Sequence, residues 1–321
     1  MSRFISVVIA LAVCFTVTAS ACSASYVSHL LDTGSWSNAW AMDINNSGQI
    51  VGCASGNNKS YAAIWSSDTS GPQLINTGET DRGSFAFWIN NSGMVTGTHD
   101  MSNGSSVLFQ WTAAGGVAAE LSFPYDGTVK GSKNAVNDNG YAVGAGDGER
   151  SRATLWHGSD ATDIGTFGGT WSSAIAINNN NIVSGVYGGD NGAIGNFVWS
   201  LNGETIFIPI NSSFDSCGLF GIADINDNGV VLGNTEINGV DTVITWSIAE
   251  GYTIVGAGIG YAINNSNIIV GLTSEDTGIA KGIVWTQTQV PEPSSILALI
   301  CGIGSLAGYT VHRKKKQLRR L

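Results

Sequence analysis

Several groups of side chains in this chain could do chemistry, and their spacing restricts which. The four histidines, His29, His99, His157 and His312, lie far from one another and from any cysteine, so no metal-ligand spacing arises. Asp224-Ile225-Asn226-Asp227-Asn228-Gly229 fits the first half of a calcium loop, and Asp43 to Gly48 fits nearly as well. The twelfth position is Thr235, where a bidentate Glu is needed. A hairpin turn accounts for the same residues; Ca2+ stays open as the second reading, and no other cofactor or metal is expected. Neither a G-x-S-x-G elbow nor a phosphate-binding glycine loop is present. Three loop acids, Glu79, Asp81 and Asp126, could serve glycoside cleavage if two of them faced each other. The remaining candidates are aromatic. Trp36, Trp40, Tyr125, Trp171 and Phe214, with Arg82, offer flat apolar faces beside polar groups, which suits sugar rings.

What positions these residues is a repeat. Ile44-Asn45-Asn46-Ser47-Gly48-Gln49-Ile50-Val51-Gly52 returns as Ile89 to Gly97, Val136 to Gly144, Ile177 to Gly185, Ile225 to Gly233 and Ile263 to Gly271. Each copy has Gly seven residues after its first Asn, then reaches Trp65, Trp111, Trp156, Trp199, Trp246 or Trp285, at a mean period of about 44 residues. The residue before the Asn is β-branched, as for a strand with one buried face. Three residues after the Asn stands Gly or Asn, the types that best tolerate positive φ, so a tight hairpin turn is expected there. Return, Trp-bearing and fourth strands complete a four-stranded unit.

Four short antiparallel strands in about 44 residues make one blade of a β-propeller. Fourth strands are predicted at Gln73–Thr77, Val117–Phe123, Thr162–Phe167, Thr205–Ile210 and Tyr252–Val255. The sixth copy lacks one, whereas the segment beginning Tyr26-Val27-Ser28-His29-Leu30 has the character of one and no other partner. The expected fold is therefore all-β: a six-bladed propeller over residues 25–289, its ring closed by the N-terminal strand. A linear β-solenoid is the rival. The fourth-to-first connections share one rim and carry the candidate aromatics and acids, each of which could instead fill space between blades. Cys53 and Cys217 fall in non-neighbouring blades, so two small thiols are expected; a disulfide, needing Cα atoms within ~7 Å, is the other reading.

Asp163-Ile164-Gly165-Thr166-Phe167-Gly168-Gly169-Thr170-Trp171, continuing to Ile177-Asn178, resembles the unit of the HAF-type extracellular repeat proteins, over roughly Asp32 to Trp285. The resemblance implies an exported repeat protein and carries no reaction.

Composition agrees. The chain has 321 residues, 43 Gly, 5 Pro, 12% charged residues and a net charge of -10. Glycine is nearly twice its usual ~7% without a collagen period, and 43% apolar content excludes general disorder. Few charges argue against long helices, and the acidic balance argues against nucleic-acid binding. Half of the 14 basic residues lie at the two ends, so the body is more acidic than the whole.

Those ends read as addresses. Residues 1–24 have the basic start, apolar run and small-residue cleavage site of a signal peptide, with Cys22 leaving lipidation open. Residues 290–321 carry Pro291-Glu292-Pro293, an uncharged helix over 294–311 of about 27 Å, and a basic tail with Arg313, Lys314 and Lys315. This order resembles the PEP-CTERM sorting signal; a plain tail anchor is the alternative. The resemblance implies a Gram-negative envelope, a membrane helix before processing, and an exosortase-type peptidase as partner. The expected function is a non-enzymatic binding or scaffold protein for extracellular polysaccharide or surface proteins. A glycan-active hydrolase or lyase is the alternative.

Overall fold

The six asparagine-led turns fold alike. In the computed structural model, which describes residues 25–78, 83–100, 106–121, 136–146, 151–158, 160–190, 194–215, 220–273 and 280–288, the Asn45 N–H donates to the Gln49 carbonyl. The Asn45 carbonyl accepts from Gly48 N–H, and Oδ1 accepts the N–H groups of Ser47 and Gln49 at 3.1 and 3.0 Å. A short amide side chain that bonds its own downstream backbone forms a turn. The same four bonds recur at Asn90, Asn137, Asn178, Asn226 and Asn264. The third residue after each Asn has positive φ: 79° at Gly48, Gly93 and Gly140, 75° at Gly229, 58° at Asn181 and Asn267. The expected signal peptide and the sorting segment with its Pro291, Glu292, Pro293, Arg313, Lys314 and Lys315 lie outside the described residues.

The described chain starts with β1 (Ser25–Leu30). The first sheet follows with β2 (Asn38–Ile44), β3 (Ile50–Gly56), β4 (Lys59–Trp65) and β5 (Gln73–Leu74). The second has β6 (Ser84–Ile89), β7 (Val95–Asp100), β8 (Ser106–Trp111) and β9 (Ala119–Leu121). The third has β10 (Tyr141–Gly146), β11 (Arg152–His157) and β12 (Asp160–Gly165). The fourth comprises β13 (Trp171–Ile177), β14 (Ile182–Gly188), β15 (Ile194–Ser200) and β16 (Thr205–Ile208). The fifth comprises β17 (Gly221–Ile225), β18 (Val231–Ile237), β19 (Val240–Ser247) and β20 (Gly251–Ala257). The sixth has β21 (Ile259–Ile263), β22 (Ile269–Leu272) and β23 (Gly282–Thr288), and its fourth strand is β1, antiparallel to β23 from Ser25–Thr288 to Leu30–Ile283. Six antiparallel sheets in chain order, with the N-terminal strand displaced into the last, are those of a six-bladed β-propeller.

Apolar residues are buried between neighbouring sheets. Ile44, Ile50 and Trp65 of the first sheet pack with Val270 and Val284 of the sixth, and Ile177, Val183 and Trp199 of the fourth pack with Val143 and Leu155 of the third. Val136 departs from the pattern: it is 66% exposed and, among the described residues, makes one bridge, with Ala142. First strands gather together, β2 touching β6 and β21, and β17 touching β13 and β21.

In five of the six repeats the glycine seven residues after the Asn has a cause that spacing does not reveal. The first strand is bulged at one place in five sheets, as between Ala41 and Asp43, and the bulge pushes a carbonyl across the second strand. A Cβ on Gly52 would lie 1.8 Å from the Trp40 carbonyl oxygen, and one on Gly271 1.9 Å from that of Ile259. No side chain fits at those positions.

Candidate functional site

The six turns meet around a cavity of about 540 Å³, to which every repeat contributes. Its wall is built by the side chains that make the turns. With Oδ1 occupied inside its own turn, each leading Asn has Nδ2 free to reach outward. Asn45 Nδ2 donates to the Asn90 carbonyl at 3.2 Å, Asn137 to Asn178 at 2.9 Å, Asn178 to Asn226 at 2.8 Å, Asn226 to Asn264 at 3.0 Å, and Asn264 back to Asn45 at 3.2 Å. The next residue adds a second link: the N–H groups of Asn46, Asp138, Asn179, Asp227 and Asn265 donate to Oδ1 of Asn91, Asn179, Asp227, Asn265 and Asn46, at 2.8 to 2.9 Å. Between the second and third sheets the described contact is Asn91 Nδ2 to Asp138 Oδ2, at 3.5 Å.

Carboxylates in the wall are held likewise. Asp43, 6% exposed, accepts Ile44 N–H on Oδ1 and Ile89 N–H of the next sheet on Oδ2. Asp224, also 6% exposed, bonds Ile225 and Ile263 in the same way. Asp227 Oδ2 accepts Asn265 Nδ2 at 2.8 Å. The residues that resemble half of a calcium loop thus serve as links between sheets, and Thr235 of that pattern is buried opposite Thr242. Among the described residues no group of three His, Cys, Asp or Glu could hold a metal.

The rim aromatics do not form one cluster. Trp36 is half-buried, 5.4 Å from the Tyr61 ring, against the core that contains Trp65. Trp40, 36% exposed, donates from Nε1 to the Ala280 carbonyl at 3.1 Å. Trp171, also 36% exposed, lies over Gly188, where a Cβ would be 2.5 Å from its ring. Phe214 is 5% exposed and edge-on to Tyr252 at 5.1 Å, so it packs the core and has no free face. Arg82 and Tyr125, like Glu79, Asp81 and Asp126, lie outside the described residues.

A row of rings beside Trp40 was missed by sequence reasoning. Trp40 on β2 is followed by Phe85, Phe87 and Trp88 on β6, successive ring centroids being 6.4, 6.2 and 5.7 Å apart, and Trp88 lines the cavity. Its signal was legible: only the second repeat reads Phe85-Ala86-Phe87-Trp88 before its Ile-Asn pair.

Other titratable groups are structural in their surroundings. His29 Nε2 lies 3.2 Å from Asp68 Oδ2, and His157 stacks on Tyr141 at 4.3 Å. His99 is buried, its ring 6.3 Å from Phe109. Cys53 is a free, buried thiol, and Cys217 lies outside the described residues. Burial pushes the Cys53 thiol up to about 12, against a smaller lowering by the Ser60 hydrogen bond. Burial likewise raises the Tyr26 phenol to about 12, with Thr245 opposing and Glu250 reinforcing.

No protein-family model matches the chain, and no curated protein matches it in sequence. Solved structures are similar in fold. TolB from Acinetobacter baumannii aligns with a TM-score of 0.49 and 12% identity over 77% of this chain and 65% of that one. An acylaminoacyl peptidase of Pyrococcus horikoshii gives 0.48 and 11% over 82% and 54%. The β-propeller domain of the Trilobed protease from Pyrococcus furiosus gives 0.45 and 10% over 80% and 100%. This chain therefore spans less than two thirds of the TolB and peptidase chains.

Proposed function

We propose that this protein is an exported propeller of the cell envelope or surface, an exosortase substrate, that works as a non-enzymatic binding or scaffold protein for extracellular glycan or surface proteins. The supporting observation is the division of labour among its polar and aromatic groups. Asparagine and aspartate side chains that converge at the turns are engaged in joining sheets, while Trp40 and Trp171 are each 36% exposed on that framework. Groups bound in this way hold a scaffold together, and exposed indoles on a fixed frame suit recognition. The HAF-like repeats and PEP-CTERM-like end support export and processing. The net charge of -10 disfavours anionic polymers unless cations bridge them, so neutral glycans are preferred.

A glycan array followed by a reducing-end assay tests the reading. Binding without new reducing ends or unsaturated sugars is the expected result; turnover of any bound glycan would overturn it in favour of a hydrolase or lyase.

A further inference from the structure

The repeats are near-copies in backbone, yet one side of the structure is built differently. At the positions five, three and two residues before the leading Asn, the second repeat has Phe85, Phe87 and Trp88. The fourth has Ser173, Ile175 and Ala176 there, and the fifth Gly221, Ala223 and Asp224. The turn and the bulge recur in all three, so neither of them explains three large rings in one copy. Phe85, Phe87 and Trp88 are only half-buried, although burial is what large rings ordinarily contribute to a fold.

Their arrangement is directional. Trp40 stands near the start of β2, and Trp88 stands at the turn end of β6 where it lines the cavity. Between them Phe85 and Phe87 lie nearly parallel, 9° apart in plane. We infer that this row of rings is a binding track for a neutral oligosaccharide, whose sugar faces stack along Trp40, Phe85 and Phe87 and whose end enters the cavity at Trp88. The inference rests on the glycan-binding reading above and assigns it a place.

The chemistry of the two ends selects the ligand class. Flat apolar faces in series match the C–H faces of pyranose rings. At the cavity end the exposed carboxylate of Asp138 supplies acceptors for hydroxyl groups. The acidic body opposes uronate or sulfated chains, which leaves neutral sugars.

The test uses the mature protein and three neutral probes, cellohexaose, xylohexaose and laminarihexaose, in titration calorimetry, with polygalacturonate as the anionic comparison. Phe85→Leu and Phe87→Leu keep apolar volume and remove the flat face; Ile254→Ser, on an exposed position of β20, is the control. At least one neutral hexamer is expected to bind, about fivefold or more weaker to each Leu variant and unchanged in the control, with unfolding midpoints kept near the parent. Unchanged affinity in folded Leu variants would overturn the track; if Trp171→Ala then loses binding, the glycan reading survives at the rim. Failure of all three neutral hexamers, or tighter binding of polygalacturonate, also overturns the track, and the first of these leaves only the surface-protein form of the proposed function.

Discussion

Asn178 holds two elements of the chain at once: Oδ1 caps its own turn through Asn180 and Ile182 N–H, and Nδ2 reaches the carbonyl of Asn226, 2.8 Å away and 48 residues later. A side chain 4% exposed that makes three such bonds cannot be replaced without leaving buried groups unpaired.

Asn178→Ala is therefore expected to lower stability by about 2–3 kcal/mol. Asn178→Asp keeps the turn acceptor but sets a carboxylate against the Asn226 carbonyl, and is expected to cost at least about 1 kcal/mol. Urea denaturation measures both; losses under about 0.5 kcal/mol would refute the linking role.

Two glycines of the repeat should respond in opposite ways. At Gly185 a Cβ would stand 2.4 Å from the Ser173 carbonyl oxygen and 2.5 Å from Phe197 Cζ, so Gly185→Ala is expected to cost about 3 kcal/mol or more, or to prevent folding. Gly229 has φ 75° and open space, and Asn stands at its equivalents Asn181 and Asn267. Gly229→Asn is expected to stay within about 1 kcal/mol of the parent, whereas Gly229→Val is strained by its β-branch. Thermal unfolding of the purified variants gives the comparison.

Removal of residues 25–31 should expose the edge of β23 and uncover the core around Leu31, which is 2% exposed. Exposed edges template aggregation, so the truncated protein is expected to self-associate, and a synthetic peptide of Ser25–Leu31 added in excess should suppress this. Light scattering with and without peptide decides; a monomeric truncated protein of unchanged midpoint would refute the strand's role.

Alkaline pH should weaken the fold through two groups. Tyr26 and Cys53 have folded values of about 12, above ordinary values of 10.0 and 9.0, so the folded state holds their protons more tightly than the unfolded chain. Their contribution is intact below about pH 9 and is lost as pH rises towards 12. Tyr26→Phe should flatten part of that loss above pH 10, and peptide mapping should find Cys53 unlabelled by a thiol reagent at pH 8 until the protein unfolds.

Much of the fold was legible because the turn is written locally. Asn bonds to residues two and four places on, and positive φ falls three places on, so Gly48 or Asn181 announces the same hairpin in any window of sequence. The fourth strand of the sixth sheet was legible too, since Tyr26 to Leu30 had no other sheet to join. What depends on distant neighbours was not. The Nδ2 of Asn178 finds its acceptor in another repeat, Gly52 is explained by a carbonyl on a different strand, and Phe214 is buried by Tyr252. The row from Trp40 to Trp88 was hidden for the same reason, its first member lying one repeat before the others.

Both turn-to-turn bonds have the donor on the earlier repeat and the acceptor on the next, and the same pair joins the sixth repeat to the first. Contacts of this head-to-tail kind carry no count: each unit presents one half to its predecessor and the other to its successor. A unit could be duplicated or lost without a new complementary surface having to arise, since every newcomer brings both halves. The number six is then a matter of the angle between one sheet and the next, and the asparagines supply interchangeable fittings that would serve a ring of another size.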